Sequence, residues 1–176
     1  LFATTTASNN TAVGGGALTA NTTGVSNTAI GFSSLSSATT ANSNTVVGKS
    51  AGAAITTGYD NVSMGAASLT TNTTGINNVA IGRSALTANT TANNNTAVGY
   101  IALLANTTGA NNTAVGVSAL TANTTGLSHT AVGYNALSNN TTGTRSTATG
   151  DHALFTNITG TDNLGIGHSA GYYITG

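Results

Sequence analysis

Residues 111–127, NNTAVGVSALTANTTGL, are one unit of a pattern that repeats every 17 residues along the chain. A unit of this size is too small to bury a core alone and must stack on its neighbours, as the repeats of a solenoid do. The sixth residue of each unit is a glycine that has no substitute, which indicates a backbone position closed to any Cβ. These framing glycines are Gly14, Gly31, Gly48, Gly65, Gly82, Gly99, Gly116, Gly133, Gly150 and Gly167.

The repeat defines a frame for the whole chain. If each coil begins five residues before its framing glycine, ten coils occupy residues 9–176, and the last one is incomplete. Residues 1–8 match the second half of a preceding coil, because Leu1 stands 17 residues before Leu18. We therefore expect a single repeat domain over 1–176, with a partial coil at 1–8. Positions within a coil are numbered 1 to 17 below.

The unit predicts an all-β fold. It is too short for a strand-plus-helix repeat, its turns are marked by glycine, and Val, Ile and Thr recur at fixed positions. The prediction is a parallel β-solenoid with two or three short strands per coil.

Alternation within the unit predicts which side chains face inward. In the segment Thr113-Ala114-Val115, positions 3 and 5 carry Thr and Val and are assigned to the core, so Ala at position 4 points outward. Position 10 is Leu in eight coils and is also assigned to the core. The outward alanine column is the candidate surface for subunit packing: Ala12, Ala29, Ala80, Ala97, Ala114, Ala131 and Ala148.

Position 13 predicts a buried ladder of amides. It holds Asn in seven coils, and a buried Asn needs hydrogen-bond partners, which the same residue in the next coil supplies. The two coils with Gly52 or Gly171 in place of the position-10 Leu carry Ile55 or Ile174 at position 13. A vacated Leu site would leave a costly cavity, so we expect the isoleucines to fill it.

Composition narrows the classes of function. Charged residues make up 3% of the chain, the net charge is zero, and Pro, Cys and Trp are absent. No basic patch is available for nucleic acid, and no apolar run approaches the roughly 20 residues of a membrane span. No clustered metal ligands, phosphate-binding loop or cofactor motif is present, so we expect neither cofactor nor metal.

Position 7 is the most variable line along the repeat and contains half of the charged residues. We expect it to be a solvent-exposed corner and the candidate recognition column. Its members are Phe32, Lys49, Arg83, Tyr100, Tyr134, Asp151 and His168.

Residues 112–126, in which NTAVG is followed by AL and NTTG, resemble the haemagglutinin-type repeats of trimeric autotransporter adhesin heads and of phage tail fibres. The resemblance covers essentially the whole chain, although those repeats are commonly nearer 14 residues long. It implies a left-handed β-roll or β-helix, a homotrimer, and attachment to a host surface or matrix from an extracellular, cell-surface or virion location. A head-to-tail filament is the other form of self-association that we expect, because no capping element covers the strand edges.

Two other classes of function are weaker. Regular Thr columns on a nearly uncharged solenoid suggest ice binding, but a Thr array needs outward residues two apart, whereas Thr124 and Thr125 are adjacent. A polysaccharide-cleaving enzyme needs convergent carboxylates, and the chain has only three Asp and no Glu. The sequence therefore favours a structural and adhesive fibre segment without enzymatic activity.

Overall fold

A computed structural model describes residues 6–174. They form a β-solenoid in which each coil contributes one three-residue strand, and all ten strands lie parallel in a single sheet in chain order. The strands are β1 (Thr11–Val13), β2 (Thr28–Ile30), β3 (Thr45–Val47), β4 (Val62–Met64), β5 (Val79–Ile81), β6 (Thr96–Val98), β7 (Thr113–Val115), β8 (Thr130–Val132), β9 (Thr147–Thr149) and β10 (Leu164–Ile166). The predicted all-β parallel solenoid is confirmed, with one strand per coil instead of two or three.

The strand register follows the repeat. Each strand residue pairs with the residue 17 positions later, as Thr113 does with Thr130. Turns occupy most of the remaining coil, and they also stack through backbone hydrogen bonds, such as Leu120 N to Ala136 O at 3.0 Å. Residues 6–8 continue this stacking, since Ser26 N donates to Ser8 O at 3.1 Å. The rest of the expected partial coil, residues 1–5, lies outside the described residues, as do residues 175 and 176.

The core is built on the leucines of position 10. All eight are fully buried, although their backbones adopt the left-handed conformation, with φ of 51° at Leu120. That conformation costs roughly 1–2 kcal/mol for a residue with a Cβ. Burying a leucine gains about 1.5–3 kcal/mol, so the core stabilises a turn that the residue would otherwise avoid.

The predicted facing of the strands is wrong. Position 4 points into the core, and Ala29, Ala80, Ala97, Ala114, Ala131 and Ala148 are fully buried, while Ala12 in the first coil is half-buried. Positions 3 and 5 point outward. The interior is narrow: a Cβ on Gly165, at position 4, would lie 2.9 Å from Leu154 Cγ. Only a small side chain fits beside the leucine, and the alanine column therefore cannot pack subunits together.

The paired exchanges at positions 10 and 13 are confirmed. Ile55 is fully buried, and its Cδ1 lies 3.0 Å from where a Cβ on Gly52 would be. Ile174 Cδ1 stands at the same distance from the corresponding point on Gly171. Ile55 thus occupies the space that a leucine fills in other coils, whereas Ile174, in the last coil, approaches the corresponding space but is 39% exposed.

The framing glycines are closed to a side chain for two reasons. Their φ angles lie between 118° and 141°, a region that L-residues rarely adopt. In addition, a Cβ on Gly65 would lie 2.6 Å from the carbonyl carbon and oxygen of Gly82 in the next coil. Gly167 has the same conformation, but nothing lies within 4 Å of its Cβ position.

This difference separates backbone strain from steric contact. We expect Gly167→Ala to destabilise the solenoid by the conformational cost alone, about 1–3 kcal/mol. Gly65→Ala adds a clash with backbone and should cost several kcal/mol more. Thermal unfolding followed by circular dichroism measures both variants, and equal melting temperatures would contradict the role assigned to close coil contact.

Candidate functional surfaces

The two outward rows of the sheet form a regular surface along the described coils, here called the outer strand face. Every member is at least partly exposed, and none carries a charge. Sequence reasoning missed this surface because it assigned Val and Ile to the core by hydrophobicity alone. Position 3 supplies Thr11, Thr28, Thr45, Val62, Val79, Thr96, Thr113, Thr130, Thr147 and Leu164, and position 5 supplies Val13, Ile30, Val47, Met64, Ile81, Val98, Val115, Val132, Thr149 and Ile166.

The candidate recognition column is exposed, as expected. All seven residues named for position 7 lie on the solvated corner next to the end of each strand. The structure brings Arg83 and Tyr100 together, with the guanidinium carbon 6.0 Å from the ring centroid. Among the described residues, no other pair within this column forms an ion pair, a hydrogen bond or a ring contact, so the column as a whole is a varied surface and not a convergent site.

The position-13 amide ladder is present in the core. Asn89 Nδ2 donates to Asn72 Oδ1 at 2.9 Å, and the contact repeats from Asn106 to Asn89 and from Asn123 to Asn106. It is interrupted at Asn140, whose amide forms no bond with Asn123 and lies against the His129 ring. Rotating this amide by half a turn exchanges donor and acceptor and would continue the ladder.

A second amide ladder, at position 2, was not anticipated. Asn44 Oδ1 accepts the backbone N–H of Asn61 at 3.1 Å, and Asn44 Nδ2 donates to Gly58 O at 2.9 Å. The signal in the sequence was Asn at position 2 in eight of ten coils: Asn10, Asn27, Asn44, Asn61, Asn78, Asn95, Asn112 and Asn163.

His129 takes the place of Asn in this second ladder. Its ring is buried, its Nδ1 accepts the Ser146 backbone N–H at 3.2 Å, and its Nε2 contacts Gly143 O at 2.7 Å. Nε2 must therefore carry the proton of a neutral ring. Burial lowers the pKa of His129, and the contacts with Gly143 and Ser146 only partly offset that effect.

An ion pair on the surface links two neighbouring coils. Arg145 binds Asp162 through two hydrogen bonds, at 2.7 and 2.8 Å, and this pairing lowers the pKa of the Asp162 carboxyl group. Both side chains are well exposed, so the pair contributes little to stability. The Asp151 carboxylate contacts Nδ1 of His152, the next residue of the chain.

Aromatic rings converge near the C-terminal end of the described chain. Phe155 and Tyr172, both at position 11, stack with centroids 5.0 Å apart and an angle of 18° between their planes. The ring centroid of His152 lies 5.0 Å from that of Phe155 and 5.3 Å from that of Tyr134. The sequence pattern did not indicate this cluster, because its members occupy different coil positions.

No protein-family model, curated protein or solved structure matches this chain. Within residues 6–174, no group of His, Cys, Asp and Glu side chains is arranged to hold a metal ion. The same residues include no helix with the length and apolar character needed to cross a membrane.

The buried histidine predicts a pH-dependent stability. Because the folded state lowers the pKa of His129, the unfolded chain binds its proton first as the pH falls below about 6.5, and the free energy of unfolding decreases. Each unit of pKa lowering corresponds to about 1.4 kcal/mol. Chemical unfolding at a series of pH values measures the effect.

His129→Asn is the matched control, since it restores the residue found in the preceding coil. With this variant, the free energy of unfolding should decrease less between neutral and acidic pH than it does in the parent chain. Parallel pH profiles for the two proteins would show that His129 does not carry the dependence.

Proposed function

We propose that this chain is a structural and adhesive segment of an extracellular fibre, and that it self-associates through the outer strand face. The observation that carries the proposal is the continuity of that face. Ten parallel strands about 4.8 Å apart present Val and Ile beside Thr without one charged residue. Exposed apolar patches of this extent mark interaction sites in soluble proteins.

A second copy of this chain fits the face better than an unrelated partner. The side chains recur with each strand over roughly 40 Å, so a partner must present matching ridges along the same length. Another copy of the chain presents the same rows of side chains at the same spacing. Specific interfaces remove about 800 Å² from each partner, an area that two partly exposed rows across ten coils can supply.

The proposal replaces the alanine column by the outer strand face as the packing surface. Two or three copies would assemble side by side through this face. Head-to-tail association through the edges of β1 and β10 is a different geometry that would leave the outer strand face exposed.

Charge introduced on the outer strand face tests side-by-side assembly. We expect the triple variant Val98→Lys, Val115→Lys, Val132→Lys to convert oligomer to monomer, because three cations would lose their hydration in the interface. Sedimentation velocity measures the mass, and circular dichroism confirms that the solenoid persists.

The matched control places the same charges on the neighbouring corner, as Tyr100→Lys, Val117→Lys, Tyr134→Lys. Val115 and Val117 are similarly exposed, at 36% and 41%, and position 7 already holds Lys49 and Arg83. This variant should remain oligomeric. A monomeric parent chain would refute assembly through this face. Filaments that persist in cryo-electron micrographs of the Val98→Lys, Val115→Lys, Val132→Lys variant would refute it as well.

Ice binding is a second candidate, supported by one specific observation. The sequence argument against ice binding was that Thr124 and Thr125 are adjacent. Those residues, however, lie outside the sheet. On the outer strand face, Thr at position 3 and Val or Ile at position 5 are two residues apart and point the same way. They form two regular rows on an uncharged parallel sheet.

Thermal hysteresis measurements test this alternative. If the face binds ice, the parent chain depresses the freezing point below the melting point, and Thr96→Lys, Thr113→Lys, Thr130→Lys abolishes the gap by disrupting the rows. The control Thr108→Lys, Thr125→Lys, Thr142→Lys changes exposed threonines elsewhere on each coil and should retain it. No hysteresis in the parent chain would remove this candidate.

A further inference from the structure

A shallow groove of about 310 Å³ lies beside the aromatic cluster and is distinct from the outer strand face. It falls at the lower end of the volume range of small-ligand sites, roughly 300–1,000 Å³. Its lining residues come from positions 8, 11 and 12 of three successive coils: Ser118, Thr121, Ala122, Asn135, Ser138, Asn139 and Phe155.

The groove exists because of a step in side-chain size along position 11. This column holds Leu104, then the small residues Thr121 and Ser138, and then Phe155 and Tyr172. Tyr172 stacks on one face of the Phe155 ring. On the other side of Phe155 along this column stands the small residue Ser138, and both residues line the groove.

Uncommitted hydrogen-bonding groups line the walls. Three side chains of the groove form no hydrogen bond to a described residue: the hydroxyl groups of Ser118 and Ser138 and the amide of Asn139. Ser138 lacks such a bond even though it is only 7% exposed. Asn135 Nδ2 contacts His152 Nε2 at 3.2 Å, which leaves Asn135 Oδ1 free as an acceptor. Thr121 Oγ1 is already bonded to Ile101 O at 3.3 Å.

The charges near the groove are few and already paired. Asp151 contacts His152, and no Lys, Arg or Asp lines the groove. An ionic ligand would therefore find no counter-charge there. A neutral ligand with several hydroxyl groups and one apolar face would match both the free donors and acceptors and the exposed ring.

We propose that this groove binds a neutral carbohydrate, one pyranose ring of a glycan stacked on Phe155. The C–H bonds on one face of a pyranose are weakly positive and meet the negative face of the aromatic ring. The equatorial hydroxyl groups bond to Ser118, Asn135, Ser138 and Asn139. Tyr134, which is half-exposed beside His152, borders the same surface and provides contact for a neighbouring sugar.

Saturation-transfer NMR with free D-glucose, D-galactose, D-mannose and N-acetyl-D-glucosamine tests the proposal. We expect transfer to ring protons of at least one sugar, with a dissociation constant in the millimolar range. Phe155→Ala should weaken binding roughly fivefold or more, because the stacking surface is lost. Ser138→Phe should abolish binding while keeping Phe155, since the new ring continues the column and fills the groove.

Phe32→Ala is the matched control, because Phe32 is an exposed phenylalanine in another coil and should bind sugar as the parent does. The outer strand face variant Val98→Lys, Val115→Lys, Val132→Lys should also bind sugar, so failure of self-association and failure of this site are distinguishable. Absence of transfer to all four sugars would overturn the proposal. So would binding that persists unchanged in Ser138→Phe.

Discussion

The close approach of backbones at the framing glycines is the constraint on which the rest of the structure depends. Gly65 lies so near Gly82 that a Cβ would come within 2.6 Å of its carbonyl group. This contact, repeated in register, brings each strand into hydrogen bonding with the next and forces every chemically equivalent position into one column. Each column is therefore stabilised as a whole, because every residue in it contacts the equivalent residues of the coils above and below.

The stacking of equivalent residues also explains how a chain this polar forms a core. The interior is too narrow for large side chains on both sides, so leucine takes one position and alanine the opposite one. Alanine or serine fills position 9 of the interior, and amides fill positions 2 and 13, where they bond to one another along the stack, as Asn72, Asn89 and Asn106 do. A buried amide is stable only while its neighbours also supply partners. His129 preserves this pattern with a ring that must stay neutral.

Function on such a scaffold takes two forms, and both follow from the stack. Where a column is uniform, as on the outer strand face, it creates an extended surface that suits another copy of the chain or a repeating solid. Where a column changes residue size, as from Ser138 to Phe155, it creates a local site. The extended surface depends on the regular repeat, and the local site depends on a position at which the repeat changes.

The sequence by itself determined the period, the parallel all-β solenoid, the closed framing glycines, the Asn72–Asn123 ladder, the exchange of Leu for Ile55, and the exposure of position 7. These follow from spacing and from residue chemistry that admits one solution. Only the tertiary structure decided which side of each three-residue strand faces inward, because strict alternation is compatible with either choice. Hydrophobicity favoured burial of Val115, but the leucine opposite leaves room only for Ala114. The aromatic cluster around Phe155 likewise depends on the path of the turns, which brings separate coil positions together in space.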